Sequence, residues 1–219
     1  MFDMSFFLTL LPRFIWGAAV TLGVSLAGFT LGTVIALGLL LLARSRIALA
    51  RWIVAIYTSF IRGTPLLVQI LVIYYALPGL TGIELSPLVA GVLSLSFNSA
   101  AFIAENLRAG LFSIPSGQFE AASALALPRH IVALKVILPQ LVRNIIPPMA
   151  SEFTILVKAS AILSVISVVE LTRTAQHVMM ETFRPTEAFC TAALIYFLIL
   201  FTFSVFTKRL EHKPSGAPR

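Results

Sequence analysis

The segment 14–43 contains no charged residue. About 20 apolar residues suffice for a helix to cross the hydrocarbon core of a bilayer, so this run by itself confines the chain to a membrane setting. Four further stretches have the same character. Segment 52–83 is interrupted by Arg62 and Gln69, 85–107 contains Asn98 and Glu105, 147–169 contains Glu152 and Lys158, and 188–207 is uncharged. With 58% hydrophobic and 11% charged residues, the chain has far more apolar surface than a soluble domain could bury. The first run is too long for a cleavable signal peptide, and Asp3 rather than a basic cluster precedes it. The expected fold is all-α: a polytopic membrane protein with five transmembrane helices in one domain over residues 1–210, and a short helix in a cytoplasmic loop. The polar tail 211–219, with its Pro and Gly, is expected to be disordered.

Lys and Arg set the expected orientation. With the 44–51 loop inside, the interior holds Arg44, Arg46, Arg51, Arg108, Arg129, Lys135, Lys208, Arg209, Lys213 and Arg219. The exterior holds Arg13, Arg173 and Arg184, a split of ten against three. The N-terminus is therefore expected outside and the C-terminus inside, and the net charge of +7 reads as loops facing anionic lipid rather than a nucleic-acid surface. Cys190 is the single cysteine, which excludes an intrachain disulfide, and His130, His177 and His212 are too scattered for a metal site. No Gly-x-x-x-x-Gly-Lys-Ser/Thr loop is present to hold ATP phosphates.

The longest internal loop, about 109–135, has the marks of structure. Ile114-Pro115 breaks the preceding helix and Ser116 is a candidate cap for the next. Residues 118–127 are rich in good helix formers, and Pro128 is expected to stop them. Within it, Glu120-Ala121-Ala122 is followed by Ala126 and then by Val136-Ile137-Leu138-Pro139. This pattern resembles the EAA loop of the membrane subunits of ABC importers. Arg62-Gly63-Thr64-Pro65-Leu66-Leu67-Val68-Gln69, Ala104-Glu105-Asn106-Leu107-Arg108-Ala109-Gly110, Leu138-Pro139-Gln140 and Pro147-Pro148 resemble the polar amino-acid uptake branch of that family, which includes histidine, arginine, glutamine, glutamate and opine importers. Together these segments span roughly residues 10–210.

The resemblance implies a non-enzymatic permease subunit in a bacterial inner membrane, translocating a polar amino acid or a related solute such as an opine. It implies five spans per subunit, a second permease subunit, two ATP-hydrolysing subunits below, and a periplasmic or lipid-anchored solute-binding protein above. No cofactor is expected on this chain, with ATP and Mg used by the partner subunits. It also makes the 116–127 helix a coupling helix, with Gln118, Phe119, Glu120, Ala121, Ala122 and Ala126 as the residues that dock onto the ATPase. Two departures stand out. The family usually has Gly where Ala126 stands, and Lys158-Ala159-Ser160-Ala161 replaces the usual Lys-Asp-Thr-Ser. The same architecture serving a different solute, such as methionine, a metal-bound ligand or an organic cation, and a stand-alone secondary carrier are the alternatives.

Polar residues inside spans are expensive and should face the bundle interior. Asn98 and Lys158 lie near the centres of their spans and are candidates for a solute path, with Thr154 and Ser160 beside them. A zwitterion's carboxylate would pair with the Lys158 ammonium and its amino group with the Asn98 carbonyl oxygen. Neutralisation of Lys158 by Glu105, Glu152 or a partner subunit is the competing reading. Glu105 and Arg108, three apart, are placed to pair with each other. Gly63 and Pro65 read as a hinge, or else Arg62 snorkels to the interface while Pro65 merely starts a helix. The topology is checked by single cysteines introduced after removal of Cys190. Positions 45 and 116 should be protected from an impermeant thiol reagent in sealed cells, and positions 81 and 174 labelled. Labelling at 116 from outside overturns it.

Overall fold

The structure is a computed structural model that describes residues 4–211, with side chains over 9–209. Among the described residues eight helical elements follow one another: α1 (Met4–Ala43), α2 (Ala48–Gly63), α3 (Leu66–Thr81), α4 (Pro87–Phe112), α5 (Ser116–Ala124), α6 (Arg129–Ile166), α7 (Leu171–Thr182) and α8 (Pro185–Glu211). Four of them, α1, α4, α6 and α8, are each long and apolar enough to cross a membrane. The fifth candidate crossing is α2 with α3 taken together, bent by 111° at the Thr64-Pro65 break, in the stretch where Gly63 and Pro65 were read as a hinge. The expected tail lies outside the described residues from 212 onward, and Glu211 itself closes α8.

α1 and α4 run parallel and approach closely because both present small residues. Ser99 Oγ donates to the Gly28 carbonyl at 3.3 Å, and Gly32 lies against Ser96 and Ser99. Stripes of small residues are how membrane helices come close when lipid supplies no hydrophobic force between them. α6 returns antiparallel on the same seam. Leu156 meets Gly28 near the middle of α1, Leu163 meets Gly91 near the start of α4, and Ile145 meets Gly110 near its end. A buried cluster around Val24, Ile70, Leu95, Leu156 and Leu163 fills the centre.

Prolines shape several helices without ending them. α6 was expected to begin at residue 147, yet it starts at Arg129 and passes through Pro139, Pro147 and Pro148. A proline ring clashes with the carbonyl four residues earlier. Wide π-helical segments at Val72–Ala76 and Val132–Ile137 lie just before Pro78 and Pro139, so the distortion falls where that clash would occur. Pro78 therefore sits inside α3, near its end. Pro128 starts α6 instead of stopping α5.

The stretch 171–187, between the last two long apolar runs of the sequence, contains the amphipathic helix α7. Glu170, fully buried, caps it: its carboxylate accepts the Thr172 and Arg173 N–H groups at 2.8 and 2.7 Å and the Tyr196 hydroxyl of α8 at 2.9 Å. Leu171 N–H donates to Thr21 Oγ1 of α1 at 3.1 Å, so one cap ties three helices together. Burial pushes the Glu170 carboxyl up, and the hydrogen bonds it accepts from Thr172, Arg173 and Tyr196 oppose that. At the same end a bidentate pair joins Arg13 to Glu181 at 2.6 and 2.8 Å and holds the Glu181 carboxyl below its usual range. α5 lies at the opposite end, beside the C-terminus of α1.

The α1–α4 contact leaves no room for a methyl group at Gly32. A Cβ there would sit 2.0 Å from Ser99 Oγ and 3.0 Å from the Ser96 carbonyl oxygen. Gly32→Ala should therefore destabilise the chain by about 1–3 kcal/mol through overpacking. Gly23→Ala, whose Cβ meets no atom within 4 Å, should not. Thermal unfolding of the purified transporter in detergent measures both.

Candidate functional site

The break between α2 and α3 is made by Thr64 and Pro65. A residue preceding proline is driven out of the helical region, and Thr64 is extended at φ −121°, ψ 147°. Gly63 contributes less than expected, since a Cβ there would touch nothing and its φ is not positive. A break within a membrane leaves carbonyls that lipid cannot satisfy. Gln69 satisfies them. Its buried side-chain amide donates to the Ile61 carbonyl at 2.9 Å, the Thr64 carbonyl at 3.1 Å and Thr64 Oγ1 at 3.0 Å. Its own Oε1 accepts the Asn98 amide at 3.0 Å. The break thus sits level with the middle of α4. Arg62 is exposed, and its guanidinium lies over the Phe102 ring, 5.9 Å from the centroid. Gln69 passed in the sequence as one letter of a motif. Its only local signal was a lone amide eight residues after an unsatisfied carbonyl.

Asn98 is half-buried; its Nδ2 donates to Gln69, and its carbonyl oxygen remains available as an acceptor. Lys158 is exposed on the bundle surface. It follows Leu156, the residue packed on Gly28, by two positions, so it lies close to half-depth. Among the described residues it forms no ion pair. Glu105 is paired with Arg108, and Glu152 is buried on the same helix as Lys158, so neither neutralises it within this chain. Thr154 Oγ1 donates to the Ala150 carbonyl at 3.0 Å. Ser160 is fully buried and its hydroxyl donates to the Val157 carbonyl at 2.8 Å, which places it in the core rather than on a path. Glu105 and Arg108 form a two-pronged bond at the α5 end, and Arg108 also lies over Phe112.

α5 has its cap one residue earlier than expected: Pro115 precedes the helix and Ser116 is its first residue. Gln118, Phe119, Glu120 and Ala121 are exposed, whereas Ala122 is buried against the bundle. The glutamate and the first alanine therefore face outward, and the second alanine anchors the helix. Ala126 is in the left-handed region at φ 48°. Its N–H bonds the Ser123 carbonyl at 3.0 Å and the next N–H, of Leu127, bonds the Ala122 carbonyl at 3.1 Å. This is a Schellman ending, in which glycine is the usual occupant. In this chain an alanine makes the turn and bears the strain.

These features coincide with a known family. The model for binding-protein-dependent transport system inner membrane components matches residues 28–215. A Rickettsia typhi protein provisionally named as a glutamine transport system permease is 40% identical over 197 residues, 90% of each chain. The arginine transport system permease protein ArtQ of Bacillus subtilis is 35% identical over 96% of each chain. A crystal structure of an amino acid ABC transporter with histidines contains a chain of the same fold, with TM-score 0.92 and 36% identity over 98% of this chain and 100% of that one. The chain belongs to this family: it is a multi-pass inner-membrane permease component of an ABC transport system.

Two substitutions separate the roles of the break and the turn. Gln69→Leu strands the Ile61 and Thr64 carbonyls and should destabilise by about 1–3 kcal/mol per orphaned group. Ala126→Gly removes the left-handed strain and should stabilise by about 1 kcal/mol. Unfolding of the detergent-solubilised chain should show opposite shifts.

Proposed function

We propose that this chain is one half of the membrane channel of an importer for a polar amino acid or a close relative of one, such as an opine. It carries the solute inward by alternating access, with its N-terminus outside and its C-terminus in the cytoplasm. The observation that carries this reading is the pairing of an outward-facing α5 at one end with an uncompensated lysine at half-depth. α5 presents Gln118, Phe119, Glu120 and Ala121 as a docking face for an ATPase subunit. ATP hydrolysis belongs to two such partners, a second permease subunit completes the channel, and a solute-binding protein delivers from the α7 end. The relatives' names for glutamine and arginine transport support an amino-acid substrate.

Lys158 needs a partner, because a charge at the bilayer centre costs about 2.5–3.5 kcal/mol on insertion scales. A substrate carboxylate supplies it, while the free Asn98 carbonyl oxygen accepts from the substrate's ammonium group. Thr154 lies one turn before Lys158 on the same helix. The Gln69–Asn98 hydrogen bond then links the solute site to the α2–α3 break, so occupation of the site bears directly on that bend.

Two measurements test this. Ala121→Trp should leave insertion and assembly of the bundle intact yet lower ATP-driven uptake by about an order of magnitude, the loss one central interface residue can carry. Ala122→Trp should instead disturb the fold. A cysteine at position 118 that never crosslinks to the ATPase in the intact complex overturns the docking face. Lys158→Met keeps side-chain length and removes charge. Loss of uptake with assembly preserved is expected, and uptake at unchanged apparent affinity removes Lys158 from the site.

A further inference from the structure

We propose that the groove between α1, α2 and α4 at the α5 end holds one anionic phospholipid. The groove has a volume of about 330 Å³, room for the headgroup and the start of an acyl chain, with the rest of the lipid lying outside it. Its walls are apolar: Leu40 from α1, Val54 from α2 and Ala104 from α4 line it. Arg44, Arg51 and Arg108 line it too, at the ends of those helices, with Glu105 as the one acidic side chain. Glu105 is already bound by Arg108, so the excess charge presented to an occupant comes from Arg44 and Arg51. Arg51 braces the α1–α2 loop through one nitrogen, donating to the Ser45 and Arg46 carbonyls at 3.0 and 3.3 Å, and its other nitrogens remain available. Arg44 has no side-chain hydrogen bond or ion pair among the described residues.

An apolar slot opening onto uncompensated guanidinium groups at a membrane boundary matches one chemistry: an acyl chain below an anionic headgroup. Basic pockets between transmembrane helices recognise phospholipid headgroups in this way, and guanidinium binds phosphate with two parallel hydrogen bonds. Arg44 also lines a cavity of about 520 Å³ beneath α5, together with Ala122 and Arg129. A headgroup held by Arg44 therefore lies against the inner side of α5 and steadies the element whose outer face is exposed. This inference depends on the charge and shape of the groove alone, and it holds whichever solute is carried.

The test uses the assembled transporter, reconstituted in vesicles of phosphatidylcholine and phosphatidylglycerol, extracted in mild detergent and weighed by native mass spectrometry. Wild type should retain phosphatidylglycerol in preference to phosphatidylcholine. Arg44→Gln and Arg51→Gln should each lower that retention about fivefold, the factor one basic side chain near an anionic lipid surface contributes. Ala55→Trp narrows the groove at an exposed wall position without changing charge and should lower retention as well. Arg46→Gln removes a charge from the same loop at a residue outside the groove, and should leave retention unchanged. Equal losses from Arg46→Gln and Arg44→Gln would mean a diffuse surface field and overturn the site. So would unchanged retention in Arg44→Gln, Arg51→Gln and Ala55→Trp, or a crosslink from position 44 to the ATPase, which would mean that protein fills the groove.

Discussion

The close approach of α1 and α4 governs the arrangement of everything else. In lipid, burying leucine against leucine gains little, because the hydrocarbon around the protein is equally apolar. What remains is van der Waals contact at short range, and that requires backbones to meet. Gly28 and Gly32 on α1 against Leu95, Ser96 and Ser99 on α4 make the meeting possible. α6 then packs antiparallel over the pair through Gly91 and Gly110. These contacts decide which loops share an end, and so bring Arg44, Arg108, α5 and the start of α6 together at one end of the bundle.

A second constraint is that backbone groups inside a membrane must be satisfied by the protein itself. The chain breaks a span once, at Thr64-Pro65, and provides Gln69 to bind the freed carbonyls. Before Pro78 and Pro139 the helix widens instead, at Val72–Ala76 and Val132–Ile137. The bend is thus held open by a side chain and relayed through Asn98 to α4. A structural amide and a proposed substrate contact are adjacent atoms of one residue.

The two ends of the bundle are built differently. At the α7 end, Glu170 joins the amides of α7 to Tyr196 of α8, Thr21 of α1 receives the Leu171 N–H, and Arg13 holds Glu181. That end is knitted by hydrogen bonds. At the other end, α5 rests on the bundle through Ala122, with most of its side chains facing outward. Such a segment has few buried contacts of its own, which suits the docking role proposed for α5.

The membrane setting, the all-α class, the crossings centred on 14–43, 85–107 and 188–207, and the short helix before Pro128 were legible in the sequence, because they depend on local apolar length and composition. The pairing of Glu105 with Arg108 was legible too, since three residues on a helix always bring side chains together. At 126 the resemblance marked a departure, alanine where the family usually has glycine, and the φ of 48° shows why glycine is the usual occupant. The bend at Pro65, the continuation of α6 through three prolines, the buried Ser160 and Ala122, and the cap formed by Glu170 were settled only by tertiary structure. A proline signal states that a hydrogen bond is lost, but whether the helix stops, widens or turns depends on what packs against it. An isolated Gln or Glu likewise gives no sign of its partner when that partner is a carbonyl or hydroxyl on another helix, brought near by the α1–α4 contact.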